Sequence, residues 1–144
     1  MSFITRFANK IDPLWPLRLG LGLMYIYSGY DLMIHPTAWH WALPYWLRGV
    51  ITQFIPLEGY LRIQGALEIG MALVLLAWFL RSAVVKWVAL LSVLEFAAIL
   101  ILAFAPFSEA NFLITFRDIG LLGASSALLI LLFREGGNGG NQQI

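Results

Sequence analysis

Charges set inside long apolar runs constrain this chain more than any other feature. Residues 61–80, 84–105 and 111–133 are nearly unbroken apolar stretches that carry Glu68, Glu95 and the Arg117–Asp118 pair. A run of about 20 apolar residues matches a hydrocarbon core about 30 Å thick. Charged groups at that depth are costly, so they face protein or water, pair with one another and mark sites of function. A fourth apolar run, residues 15–34, holds Arg18 near its start and Asp31 near its end. The pattern predicts an all-α membrane protein: a four-helix transmembrane bundle whose carboxylates meet in one polar pocket.

Composition agrees with that class. The chain has 144 residues, 60% of them hydrophobic and 12% charged, with a mean hydropathy of +0.81. A soluble domain of this size could not cover so much apolar surface, so the expected surroundings are a lipid bilayer and the expected location is a multi-pass integral membrane protein. The net charge of +1 gives no basis for a nucleic-acid partner. With no cysteine, disulfides, thiolate chemistry, Cys-held iron–sulfur clusters and Cys-based zinc sites are excluded. Residues 1–135 read as one domain, and the Gly/Asn/Gln-rich residues 136–144 as a flexible tail. Arg6 and Lys10 before an apolar run are signal-peptide-like, but no small-x-small cleavage site follows, so the expectation is a retained first helix.

Residues 35–60 break the pattern. His35-Pro36-Thr37-Ala38-Trp39-His40-Trp41-Ala42-Leu43-Pro44-Tyr45-Trp46 is aromatic and twice interrupted by proline. Trp and Tyr favour the headgroup level, so this segment reads as an interfacial loop with one or two short amphipathic helices. Lys and Arg bias places both termini on the cytoplasmic side, with Arg48, Arg62 and Arg117 on the other. Asp31, Arg62, Glu68, Arg117 and Asp118 then gather in the outer half, beneath the aromatic loop.

Expected contact faces follow from helical spacing. Arg18, Gly22, Tyr25 and Gly29 share one face of the first helix. Ala66 and Gly70 offer a small-residue face in the second, where Gln64 and Glu68 share another. In the fourth, Arg117, Gly120, Ala124 and Ala127 form the small face, and Asp118, Leu122 and Ser125 the adjacent one.

Each candidate has a functional and a structural reading. Arg117 with Asp118 is either a guanidinium that grips a carbonyl or anionic oxygen, or a bridge to Glu68 or Asp31 that fixes helix register. Glu68 is either a buried proton carrier or a partner for Arg62 or Arg117. Glu95 is a proton relay or a hydrogen-bonded structural carboxyl. Asp31 is an interfacial residue or part of the site, and Arg18 snorkels to lipid phosphates. Trp39, Trp41 and Trp46 are interface anchors or a lid that stacks on a planar head group. His40 could donate a proton at the pocket mouth, but His35 and His40 in one Pro-broken loop make a poor haem or metal pair.

Leu17-Arg18-Leu19-Gly20-Leu21-Gly22, Ser28-Gly29-Tyr30-Asp31, Gly65-Ala66-Leu67-Glu68 and Arg117-Asp118-Ile119-Gly120-Leu121-Leu122-Gly123 together resemble the DoxX-like family of small membrane proteins. Tyr30 and Asp31 stand where family members often carry a basic residue. The resemblance implies a four-helix membrane fold similar to the membrane subunit of thiosulfate:quinone oxidoreductase, in a bacterial or archaeal cell membrane. It implies a quinone as the cofactor, other membrane or redox subunits as partners, and no haem, metal or iron–sulfur cluster. Electrons would come from a partner or a reduced substrate. The second function class is a non-catalytic accessory or assembly subunit of a larger membrane complex; a small carrier has little support without an inverted repeat.

Overall fold

Proline and charge at the segment starts decide where the helices begin. In the computed structural model, which describes residues 12–104 and 112–138, Pro13 precedes α1 (Leu14–Ile34). The interfacial segment then forms a 3-10 helix (Pro36–Ala42) and the short α2 (Tyr45–Ile51), started by Pro36 and Pro44. Pro56 caps α3 (Leu57–Leu76), with Glu58 in its positively polarised first turn. The turn after α3 leads through an extended Arg81 into α4 (Ser82–Ala103). The last helix, α5, spans Phe112–Asn138. Residues 1–11, with Arg6 and Lys10, and the end of the expected tail, residues 139–144, lie outside the described residues.

The all-α class holds, but the four-helix transmembrane bundle does not. Among the described residues three helices are long and apolar enough to cross a membrane: Leu57–Leu76, Ser82–Leu102 and Phe116–Glu135. The arrangement with both termini cytoplasmic, which rested on four crossings, falls with that count. α1 has the length, at 21 residues. Its hydropathy is diluted by Arg18, Asp31, Gly20, Gly22, Gly29 and the tyrosines Tyr25, Tyr27 and Tyr30. The three apolar helices are those of a multi-pass membrane protein, and their exposed leucines and isoleucines are the surface that lipid would contact.

α1 lies antiparallel on α3 along its whole length. At one level the two backbones nearly touch: a Cβ on Gly29 would fall 2.6 Å from the Gly65 carbonyl oxygen, and a Cβ on Gly65 would fall 2.6 Å from that of Gly29. Two glycines facing each other permit this approach, and no other residue would. The small face of α3 is therefore Gly65 rather than the expected Ala66 and Gly70; Gly70 has open space beside it. Gly65 belongs to the stripe Leu61, Gly65, Glu68, Ala72, Leu75, which is the buried side of α3. On α5 the inward stripe is Asp118, Ser125, Leu128 and Leu132. Arg117 and Gly120 are exposed while Ala124 packs against the core, so only the latter part of the predicted small face of that helix is a packing face.

Near the α3–α4 turn the four long helices close on a dry core. Leu14 and Leu21 meet Ala72, Leu75, Val85, Val88, Ala89, Leu128 and Leu132 there. Arg18 ends in the same region. Its Nε donates to the Leu75 carbonyl at 2.8 Å and an Nη to the Ala77 carbonyl at 2.7 Å. These acceptors lie at the C-terminus of α3, where helical carbonyls have no partner within the helix and the dipole favours a cation. Trp15 covers the guanidinium at 4.7 Å. Arg18 is thus a buried clasp between α1 and α3, not a snorkelling residue. At the opposite end a second apolar cluster, Leu32, Leu43 and Leu61 with Trp39, Leu47 and Tyr60, seats the interfacial helices on α1 and α3.

Candidate functional site

Between the closed core and the interfacial helices the bundle holds a cavity of about 820 Å³. That is within the roughly 300–1,000 Å³ usual for small-molecule sites. Its walls are mainly leucine and aromatic side chains. Its polar groups come from the four long helices, Tyr25 and Ser28 from α1, Gln64 and Glu68 from α3, Glu95 from α4, and Arg117 and Asp118 from α5, and from Arg48 of the short α2.

Tyr25 is almost wholly buried and stacks on Phe96, with centroids 5.7 Å apart and planes 20° from parallel. That packing aims its hydroxyl at α4, where it donates to Glu95 Oε2 at 2.7 Å. The Gln64 amide donates to the other oxygen, Oε1. Both Glu95 oxygens are therefore held by donors from other helices. Glu68, also buried, accepts from the Ser28 hydroxyl through Oε2. The outcome is a pair of carboxyl groups, one on α3 and one on α4, oriented by neutral donors beside an open volume. Glu68, Glu95 and Asp118 all border the cavity.

Arg117 stands at the rim, 61% exposed, with Nε 3.5 Å from Asp118 Oδ1. Asp118 itself is buried. Among the described residues no ion pair joins Arg117 to Glu68 or Asp31, so the expected register bridge is not formed.

Asp31 does not line the cavity; it holds the roof. Its Oδ2 accepts from Trp39 Nε1 at 2.8 Å, and its Oδ1 lies 2.9 Å from His35 Nδ1. Hydrogen bonds from His35 and then Trp39 hold its carboxyl below the usual aspartate range. Trp39, so placed, stacks on Trp41 at 5.8 Å and 23°. Both rings border the cavity. Trp46 and His40 do not, and Arg62 is exposed on the outer side of α3. These three leave the candidate site. His40 Nε2 is buried and finds no hydrogen-bond partner among the described residues.

Sequence reasoning missed Tyr25, Ser28 and Gln64 as site residues, and Tyr45, Arg48 and Tyr60 in the roof. Arg48 donates from Nε to the Leu43 carbonyl at 2.7 Å and lies over the Tyr45 ring at 4.5 Å. One signal was available: Tyr25, Ser28 and Leu32 recur at i, i+3, i+7, and Gln64 and Glu68 at i, i+4, so each set shares a face. No group of three or more His, Asp or Glu residues that could hold a metal occurs among the described residues.

Comparison with protein-family models, with curated proteins and with solved structures gave no match.

Proposed function

We propose that the cavity binds a quinone and that the chain is the membrane subunit of a quinone-linked oxidoreductase, of DoxX-like kind, in a bacterial or archaeal cell membrane. The observation that carries this reading is the two carboxyls Glu68 and Glu95, each held by hydrogen bonds from neighbouring helices, under a stacked aromatic roof in a mainly apolar cavity. The residues fit such a group. Trp39 and Trp41 offer flat faces to a planar ring. Gln64 deep in the cavity, with the second N–H of its amide, and Arg117 at its rim are hydrogen-bond donors suited to two carbonyl oxygens on opposite sides of that ring.

A bound quinone supplies the capacity to take up two electrons and two protons. The chain's own residues supply binding and protons. Glu68 has one oxygen held by Ser28 and is the group we assign to proton exchange. Glu95, with both oxygens occupied, holds Tyr25 and Gln64 in place and is a positioning residue. Asp118 sets the direction of Arg117. Electrons arrive from a partner subunit or a reduced substrate.

The test is a titration of the purified protein in lipid nanodiscs with a short-chain quinone, read by tryptophan quenching. Saturable quenching is expected, reduced by Trp39→Phe, with affinity about tenfold lower in Glu68→Gln, a loss of about 1.4 kcal/mol. A cavity that holds only phospholipid and shows no saturable quinone binding would instead support the accessory-subunit reading.

A further inference from the structure

The cavity has two kinds of boundary. Where α1 lines it, the contributing residues Met24, Tyr25, Ser28 and Leu32 are all buried or half-buried. Where α3 and α4 line it, Leu67, Leu91 and Leu94 are 60%, 51% and 56% exposed. A side chain that borders a cavity and is also half-exposed stands at a mouth. These three are leucines on helices long and apolar enough to lie in a membrane, so the mouth faces acyl chains and not water. A second, polar opening lies at Arg117, Trp41 and Tyr45.

The sequence produces this gap. Close to the α3–α4 turn, Ala72 and Leu75 interlock with Val85, Val88 and Ala89, all fully or nearly buried. Farther from the turn, α3 presents Gln64 and Glu68 to α4, and α4 presents Glu95. Two carboxyl-bearing faces cannot interdigitate as apolar ones do, and Gln64 spans the space with its hydrogen bond to Glu95. The helices are neighbours in sequence yet part above the turn.

We infer that the ligand of this site is a long-chain amphiphile that enters sideways from the bilayer between α3 and α4, with its polar head at Glu68 and Glu95 and its apolar tail across Leu67, Leu91 and Leu94. This rests on the reading of the cavity as a ligand site, and it adds the class of ligand and its route. A water-soluble substrate would have no use for a leucine-lined mouth at membrane depth. A tailed one can pass from bilayer to cavity without exposing its methylenes to water.

The chain has no cysteine, so one introduced thiol can be modified alone. Leu94→Cys is purified, shown folded, and reacted with a bulky apolar maleimide; labelled and unlabelled protein are compared in phosphatidylcholine nanodiscs. Affinity for a benzoquinone bearing a long isoprenoid tail should fall at least tenfold on labelling, while a tailless benzoquinone, admitted at the polar opening, binds equally to both. In parallel, a diazirine-bearing fatty acid should cross-link to cavity peptides containing Met24 or Met71 in unlabelled protein and fail to do so after labelling. Equal loss of both quinones, or unchanged fatty-acid cross-linking, overturns the lateral route. Absence of quinone binding together with label-sensitive cross-linking overturns the quinone reading and leaves the route standing.

Discussion

The two halves of the bundle meet the same cost in different ways. Each buries charge: Arg18 in the half near the α3–α4 turn, Glu68 in the half below the aromatic roof, both less than a tenth exposed. Arg18 is satisfied by two backbone carbonyls that cannot move without unwinding the end of α3. Glu68 and Glu95 are satisfied by a hydroxyl, a phenol and an amide on side chains next to empty volume. Fixed acceptors make a clasp. Adjustable donors beside a cavity make a place where a ligand or a proton can be exchanged. Burial of charge alone therefore does not mark a site; what matters is whether the partners and the space around them can change.

Loss of the clasp tests this contrast most strongly. Arg18→Met keeps much of the side-chain volume and removes both bonds to α3. A loss of about 3 kcal/mol is expected, from two charge-assisted hydrogen bonds and the carbonyls left bare, measured by thermal unfolding in detergent. Ligand affinity well below the unfolding temperature should stay within about twofold. A stable variant that had lost its ligand would place Arg18 in the site and end the distinction between the halves.

The helix seam comes next. Gly65→Ala puts a methyl group 2.6 Å from a backbone oxygen, so the helices and not a flexible side chain must give way. A cost of about 2 kcal/mol is expected. Gly20→Ala, where nothing lies within 4 Å, should instead stabilise α1 by about 0.5–1 kcal/mol. Equal effects at the two positions would mean that α1 and α3 are not in backbone contact.

The smallest effect belongs to the roof. The Asp31 carboxyl is held below its ordinary range in the folded chain, so its contribution is complete above the unfolded value of about 3.9. That contribution is lost as pH falls through the lowered folded value. Tryptophan emission should thus be constant from neutral pH down to about 5 and shift slightly to the red under stronger acid. Asp31→Asn should lessen that acid step. An unchanged acid step in the variant would show that Asp31 does not hold Trp39.

Much of the helical order was legible because apolar runs of membrane length have few alternatives. The ends were less so. α3 was expected at residues 61–80 and runs Leu57–Leu76, because Pro56 and Glu58 start it a turn earlier than the apolar run suggests. Counting spans failed for α1, whose length suits a crossing while its glycines, tyrosines and charges do not. Faces failed where a shift of one residue, 100° around a helix, exchanged Gly65 for Ala66 and placed Arg62 outside. Glu68, Glu95 and Asp118 could be picked out because a carboxylate in an apolar run stands alone in the sequence. Tyr25 could not, because its importance comes from Glu95, 70 residues away on another helix. Arg18 was visible, but its acceptors depend on where α3 stops.

The near-touching of Gly29 and Gly65 has a mechanical consequence. α1 and α3 form a single stiff beam, and the roof is bolted to it through Asp31–Trp39 and the Leu32–Leu43–Leu61 cluster. α4 and α5 form the other beam, joined to the first near the α3–α4 turn by the dry core and farther out by the Tyr25–Glu95 and Gln64–Glu95 hydrogen bonds. Among the described residues, splaying the second beam about its clamped end would break only those two side-chain hydrogen bonds and the Tyr25–Phe96 stack. Such a cantilever would widen the cavity at the leucine mouth and leave the roof above level.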